Sequence, residues 1–356
     1  MLLQIEKNLL AKTKTCCIFL DLSKAFDMVE HYTLLNTLDS LGFRGHFHTL
    51  LKNYLSNRLF SIKNSDHEYQ ITRGVPQGSI LSPILFSLYV NDFNTIHTDT
   101  IQYADDTTFV ISYNDEEHLF QIIKKIERNL ITYLKNKHLI INSEKTEIIL
   151  FNDNKLKSIQ FLNNQINISD QSKFLGIMIH KTRKFNTHII QKVIPNIRKM
   201  YSSLYQISYI TDKQTKEMVF NAFIIPHILY ALPFIQISNQ NIINKMERAY
   251  NRAIKILYNL PMSFPTRELQ QRTNIPNLPD SCYKISLMHA HRTFYNAVPN
   301  IDKYFSHTKR NNFIIDPHQD DKSLHNFLSI IWNNLHTNMK NIKNKETFKT
   351  HLNNDN

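Results

Sequence analysis

The stretch Gln102–Ile111, QYADDTTFVI, limits what this chain can fold into more than any other. Apolar, β-favouring residues flank a polar tip, which is the pattern of a hairpin, and the tip carries two adjacent aspartates, Asp105 and Asp106. Neighbouring carboxylates repel one another unless something neutralises them. A second apolar run, CCIFLDL at Cys16–Leu22, reads as a buried strand that ends on another acid, Asp21. Strand ends remote in sequence can be neighbours in one sheet. Three carboxylates within ~4 Å would cost several kcal/mol in repulsion, relieved by protonation or by a divalent cation. Two such ions about 3.5–4 Å apart can activate a hydroxyl and steady a leaving group. Taken alone, the acids leave a plainer reading open, because aspartate at a turn commonly bonds its own backbone.

The remaining pattern mixes strands and helices to about residue 180, as in an α+β domain. The first residues have the Leu/Ile spacing of a short amphipathic helix. HYTLLNTLDSLG places Leu34, Leu35, Leu38 and Leu41 at helical spacing, with Gly42 as the stop. A Gly/Pro loop from Gly74 to Gly78 leads to a helix with Ser82 as N-cap and Pro83 at its first position. Leu119, Ile122, Ile123, Ile126, Leu130, Tyr133 and Leu134 form one stripe of a helix over 115–138. TEIILF and KFLGIMI follow as extended segments. Beyond Lys181 the pattern is helical, with Pro226 set to kink one helix. The expected organisation is 1–180, 181–310 and a polar tail at 311–356 in which LHNFLSIIW can form one more helix.

Composition narrows the partners. Net charge is +12 at pH 7, which favours a polyanion and gains weight because it coincides with an acidic cluster. The three cysteines form no CxxC pair, so buried free thiols are expected rather than a disulfide framework or a zinc knuckle. No apolar run approaches the roughly 20 residues of a membrane span, and no membrane partner is expected.

FLDLSKAFDMVEH, RGVPQGSILSPILFSLYVNDF and QYADDTTFVI, in this order and spacing, resemble the palm of reverse transcriptases encoded by non-LTR retrotransposons, the jockey-like LINE group in particular. INSEKTEIILF and FLGIMI continue the resemblance, and IIPHILYALPF and MERAYNRAIKILY resemble the thumb and the region after it. The resemblance implies a right-hand polymerase: an α+β palm of antiparallel sheet plus helices, then a helical thumb and C-terminal helical region. The implied activity is RNA-directed DNA synthesis on an RNA template, extending a DNA primer with dNTPs. Two Mg2+ ions (or Mn2+) are implied on Asp21 and Asp105, with Asp106 a weaker ligand and the Leu22 carbonyl completing one shell. Phe26 matches the sugar gate that excludes a 2′-hydroxyl, its alternative being an ordinary core Phe. Asp27 is not a ligand in that pattern and reads as a cap for the next helix. Gln77 and Gly78 match the loop lining the nucleotide pocket, where a Gln can bond sugar or phosphate oxygens. Arg73 reads equally as a phosphate contact or a solvated side chain. Lys145 matches a lysine that protonates the leaving pyrophosphate. Phe174, Leu175, Gly176 and Ile177 match the primer grip, with a plain hairpin as the alternative. Lys181, Arg183, Lys184, Lys192, Arg198 and Lys199 would face a duplex backbone.

The likeness begins just before Asp21, so the chain is expected to lack the upstream fingers and the N-terminal endonuclease, as a fragment of an element's second reading frame would. A truncated, inactive copy that at most binds RNA or RNA–DNA hybrid is the competing expectation. A maturase-like palm enzyme is a third, and the tail does not resemble a maturase domain. An element-encoded RNA-binding protein and an endonuclease region are expected partners. Action in nucleus and cytoplasm follows from the lifestyle of such elements.

Overall fold

The computed structural model describes residues 1–63, 67–183, 185–209, 212–230, 232, 235, 238–292, 295 and 324–354. The end of the 181–310 segment and the start of the tail at 311 lie outside the described residues. The chain divides into two compact units, Asn8–Leu175 with Met1, and Gly176–Asn356 with Leu2–Lys7. Helix α1 (Leu2–Leu10) opens the chain.

The first unit is α+β. Its sheet holds four antiparallel strands in the order β4 (Thr100–Tyr103), β5 (Asp106–Tyr113), β1 (Lys14–Leu20) and β6 (Glu147–Phe151). Cys16, Ile18 and Leu20 on β1 face Ile111, Phe109 and Thr107 on β5. That face packs against Leu34 and Leu38 of α2 (His31–Ser40), Leu51 and Leu55 of α3 (Gly45–Leu55), Leu85 and Phe86 of α4 (Ser82–Tyr89), and Leu119, Ile123, Ile126 and Leu130 of α5 (Glu116–Lys137). The other face, with Cys17 and Phe19, is buried as well. There Phe174 of β9 (Gln171–Phe174) packs its ring 5.9 Å from that of Phe19. Burial on both faces explains why β1 reads as an unbroken apolar run. Two hairpins complete the unit, β2 (Arg58–Ser61) with β3 (Glu68–Ile71) and β7 (Ser158–Phe161) with β8 (Asn164–Asn167).

Most element expectations hold, and two caps are corrected. Asp27 does not cap α2. Glu30 does, its carboxylate accepting from the amides of Tyr32 and Thr33. Ser82 is not the N-cap of α4. It is the first helical residue, buried, and its hydroxyl donates to the Pro76 carbonyl, tying the Gly/Pro loop to the helix. Gly42, at φ +91, ends α2 as its sequence position requires. The apolar stripe of α5 is buried from Leu119 to Tyr133, with Asp115 capping it.

The second unit is helical after β10 (Ile177–His180). Its core gathers Ile189, Val193 and Ile197, Phe220 and Ile224, and Met246, Tyr250, Ala253 and Leu257. The helix Gln240–Leu257 lays its apolar stripe across Ile194–Lys199 and Tyr201–Ser208. Pro226 breaks its helix as expected: Lys213–Phe223 stops, Ile224 is the junction, and Ile225–Leu229 begins anew. LHNFLSIIW forms the helix Leu324–Asn333. All three cysteines are free and buried, and burial raises the Cys17 and Cys282 thiols to about 12. Among the described residues no helix is long and apolar enough to cross a membrane.

Candidate active site

The antiparallel register decides where the acids meet. Leu20 of β1 lies opposite Thr107 of β5, so Asp21, one residue past β1, stands beside Asp106 at the start of β5. Tyr103 pairs with Asp106, leaving Ala104 and Asp105 as a two-residue loop. Ala104 takes φ +52, the positive φ that tight hairpin turns of this length need at their first loop residue. An alanine there costs about 1–2 kcal/mol. The strain holds Asp105 out at the tip. Lys24, in the loop after Asp21, is likewise a non-glycine residue at positive φ, 48°.

A cleft of ≈ 440 Å3 opens at this end of the sheet, lined among others by Asp21, Leu22, Phe26, Gln77, Asp105 and Lys145. Six sequence-expected residues therefore converge. Asp106 does not line the cleft, but it shares the electrostatics. Burial first, then the charges of Asp105 and Asp21, hold its carboxyl above the ordinary range, opposed by Lys173. The ring of Phe26 stacks on buried Phe86, centroids 4.6 Å apart, which fixes it as a rigid wall of the cleft. Lys145 brings its ammonium to 3.6 Å from an Asp21 oxygen.

The pairing of Leu22 with Ile141 leaves Leu22's own carbonyl out of the bridge, since the flanking bonds run from Asn142 N to Asp21 O and from Ser23 N to Ile140 O, each 2.8 Å. Three carboxylates line the cleft, Asp21, Asp27 and Asp105, and carboxylate oxygens are hard donors of the kind that suits Mg2+. Among the described residues no three His, Cys, Asp or Glu side chains are gathered closely enough to form a metal site by themselves. A cation held on Asp21 and Asp105 would therefore need further oxygens from outside these side chains.

The Gly/Pro loop is welded to the turn segment after Asp21. Gly74 N donates to Val29 O at 2.7 Å and Val75 N to Phe26 O at 2.9 Å. A Cβ on Gly74 would lie 3.0 Å from the Cα and carbonyl oxygen of Asp27, and its φ is +88, so only glycine fits. Gly78, at φ +83, has open space around it. Arg73 forms an isolated bridge with Glu30. The side chain of Gln77 donates to Asp27 Oδ1 at 2.8 Å.

The primer-grip residues divide between the units. Phe174 belongs to the first unit, whereas Gly176 and Ile177 belong to the second. Leu175 and Gly176 both have positive φ, 47° and 80°, and a Cβ on Gly176 would touch Tyr230 at 3.4 Å. Of the basic positions, Lys192, Arg198 and Lys199 are exposed on the helical unit, and Lys184 lies outside the described residues. Arg252, not singled out in the sequence, places its guanidinium 5.4 Å from the centre of the Tyr201 ring.

Asn142 is the functional-site residue that sequence reasoning missed. It lines the cleft, ties the Asp21 strand end through its amide, and organises the turn that carries Lys145. Its side chain accepts from Glu144 N at 3.2 Å, and its carbonyl accepts from Lys145 N and the Thr146 hydroxyl. The signal was present: an asparagine in a polar loop tends to bond its own backbone two residues on, the Asx turn.

The family model described as reverse transcriptase (RNA-dependent DNA polymerase) matches residues 2–179. The chain is 24% identical over 304 residues to the RNA-directed DNA polymerase from mobile element jockey of Drosophila melanogaster, covering 79% of this chain and 32% of that protein. It is 26% identical over 270 residues to a probable RNA-directed DNA polymerase from transposon BS of the same organism, covering 68% and 29%. The chain thus spans about a third of the length of the curated relatives it matches. Among solved structures, a telomerase from Candida tropicalis bound to a TWJ fragment of telomeric RNA aligns with a TM-score of 0.41 and 14% identity, covering 81% of this chain and 49% of that one.

Proposed function

Because this chain belongs to the reverse transcriptase (RNA-dependent DNA polymerase) family, we propose that its first unit is the palm of a non-LTR retrotransposon polymerase and its helical unit the thumb. The reaction is attack of a primer 3′-hydroxyl on the α-phosphate of a dNTP, directed by an RNA template. The observation that carries this reading is the convergence of Asp21, Asp105, Phe26, Gln77 and Lys145 on one cleft.

Each residue has a task its surroundings permit. Asp21 and Asp105 would hold Mg2+ with the Leu22 carbonyl, and Asp106 would add negative charge from behind. Bound there, Mg2+ supplies Lewis acidity at phosphate oxygens and eases deprotonation of the attacking hydroxyl. Phe26, held against Phe86, would close the space beneath a sugar to a 2′-hydroxyl. Lys145, mobile enough to leave Asp21 because it is 67% exposed, can give its proton to the departing pyrophosphate. Exposed Lys192, Arg198 and Lys199 suit salt-sensitive, sequence-independent contacts with a duplex backbone.

The test is Mg2+-dependent primer extension on an RNA template by the 356-residue protein, with Asp105→Ala as control. Extension that Asp105→Ala abolishes supports the reading. Extension that survives the substitution overturns the metal assignment. RNA binding without incorporation at any Mg2+ concentration would make this chain a binding module instead.

A further inference from the structure

We propose that the helical unit carries a site for unpaired nucleotides, in which Tyr205 and Tyr209 stack bases while Arg248 and Arg252 hold the strand's phosphates. The site goes beyond the polymerase reading. It takes no part in the cleft, and its ligand is a single strand rather than the duplex assigned to Lys192, Arg198 and Lys199.

The aromatic half lies on the helix Tyr201–Ser208. Tyr201, Tyr205 and Tyr209 recur every four residues, so their rings rise along one side of the helix about 6 Å apart. Leu204 and Ser208 are buried, whereas Tyr205 is 54% exposed and Tyr209 60%. The two exposed rings meet edge to face, centroids 5.3 Å apart at 87°, and the Tyr209 hydroxyl donates to that of Tyr205 at 2.9 Å. Each ring steadies the other. A ligand therefore meets two pre-set surfaces rather than two free rotors, which lowers the entropy cost of binding.

The cationic half lies on the helix Gln240–Leu257, which packs across Tyr201–Ser208. Lys245, Arg248 and Arg252 follow helical spacing and are exposed, on the side away from buried Met246, Tyr250 and Ala253. Arg252 joins the halves. Its guanidinium lies 5.4 Å from the centre of the Tyr201 ring, whose hydroxyl donates to the Ala249 carbonyl at 3.0 Å, and Tyr205 stands one turn further along. Acid is scarce around these groups. The sequence holds none from Gln171 to Thr211, and Glu247 is the one acid in Gln240–Leu257. Asp212, three residues past Tyr209, has its carboxylate committed to the amide and hydroxyl of Thr215, each at 2.9 Å.

Exposed rings beside phosphate-binding cations select the class of ligand. Bases in a duplex stack on one another and offer no face to a side chain. Bases in a single strand do, and any base will serve because each has a π-face. An acidic peptide would answer the arginines but leave the rings in water. Unpaired RNA and unpaired DNA share the chemistry the site reads.

The test titrates the 356-residue protein with labelled oligo(U), oligo(dT) and an RNA–DNA hybrid, each about 20 nucleotides long. Tyr205→Ala/Tyr209→Ala should weaken single-strand binding by at least about 10-fold, within the worth of a base–aromatic stack, and leave the hybrid within about 2-fold. Tyr205→Phe/Tyr209→Phe keeps the rings and should recover most of the affinity. Arg248→Ala/Arg252→Ala should flatten the dependence of log affinity on log salt for the single strands by about 1.4, at ~0.7 per phosphate contact. Tighter binding of oligo(U) names RNA as the occupant and tighter binding of oligo(dT) names DNA; either supports the site. An unchanged affinity in the alanine pair overturns it, as does an equal loss for single strand and hybrid, or displacement of oligo(U) by polyglutamate of equal charge. Asp105→Ala should bind the single strands as the wild type does, whatever its effect on primer extension. Single-strand binding lost in that variant would put the strand in the cleft and overturn the proposal.

Discussion

The two ends of the four-stranded sheet treat their acids in opposite ways. At the end where β1 begins, Asp153 is only 1% exposed in its side chain and is fully answered: Lys14 Nζ lies at 2.8 Å, the Lys155 amide at 2.9 Å and the Tyr113 hydroxyl at 3.1 Å. Burial alone would raise its carboxyl, but these donors bring it below the ordinary range. At the end where β1 finishes, Asp21 and Asp105 lie near enough for their charges, after burial, to push the carboxyl of Asp106 up. Here the cations are a long contact from Lys145 and the more distant pull of Lys173. One end of the sheet has its charges settled for stability. The other leaves like charges close together, as the proposed cation site would require.

Substitutions at the two ends should therefore separate activity from stability. Asp21→Ala is expected to lower incorporation by about 10^3-fold or more, the loss of several kcal/mol of charge stabilisation, while thermal unfolding hardly moves. Asp153→Ala should do the reverse. It strands the Lys14 ammonium and should cost about 2–3 kcal/mol in denaturant unfolding, with kcat intact in the surviving folded fraction. A joint loss of both properties at either end would break the contrast.

Gly74→Ala probes the scaffold between these extremes. A Cβ at 3.0 Å from the Asp27 backbone, added at positive φ, should cost about 1–3 kcal/mol and raise the KM for nucleotide by moving Phe26 and Gln77 apart. Unchanged KM with normal stability would show that the loop is not docked as described.

The pH response sharpens the comparison further. The folded-state carboxyl of Asp153 is depressed, so its contribution is present above the unfolded value of about 3.9 and is lost as pH falls through the folded one. Urea unfolding at about pH 6 and at about pH 3 should show this acid sensitivity in the wild-type protein and a weaker one in Asp153→Asn. The smallest effect belongs to Asp106→Asn. Removing a charge that its neighbours disfavour should raise the unfolding midpoint slightly, by well under ~1 kcal/mol given its exposure. A drop would mean that Asp106 is held by donors like those around Asp153.

Much of this was legible in the residues because local chemistry is local. Period-2 and period-3.6 patterns gave β1, the Asp105 hairpin and α5, since a side chain's face follows from its position in its own element. Pro226 and Gly42 marked ends because one lacks an amide proton and the other tolerates positive φ. The motif blocks gave Asp21, Phe26, Gln77, Asp105 and Lys145. Asp27 and Ser82 misled because a polar residue before a helix reads as its cap, whereas each here serves a partner outside the helix: Gln77, 50 positions on, for one, and the Pro76 carbonyl for the other.

By itself, then, the sequence determined which elements form and which side chains carry reactive oxygens, because those depend on neighbours a few residues away. Only the tertiary structure decided the pairings. The register of Leu20 on Thr107 sets Asp21 beside Asp106, Asn142 clamps the Asp21 strand end, and the close approach of Gly74 to Asp27 brings Gln77 within hydrogen-bond reach of that acid. Such contacts join residues tens of positions apart through packing and backbone hydrogen bonds, and no local pattern encodes which distant group will be there to receive them.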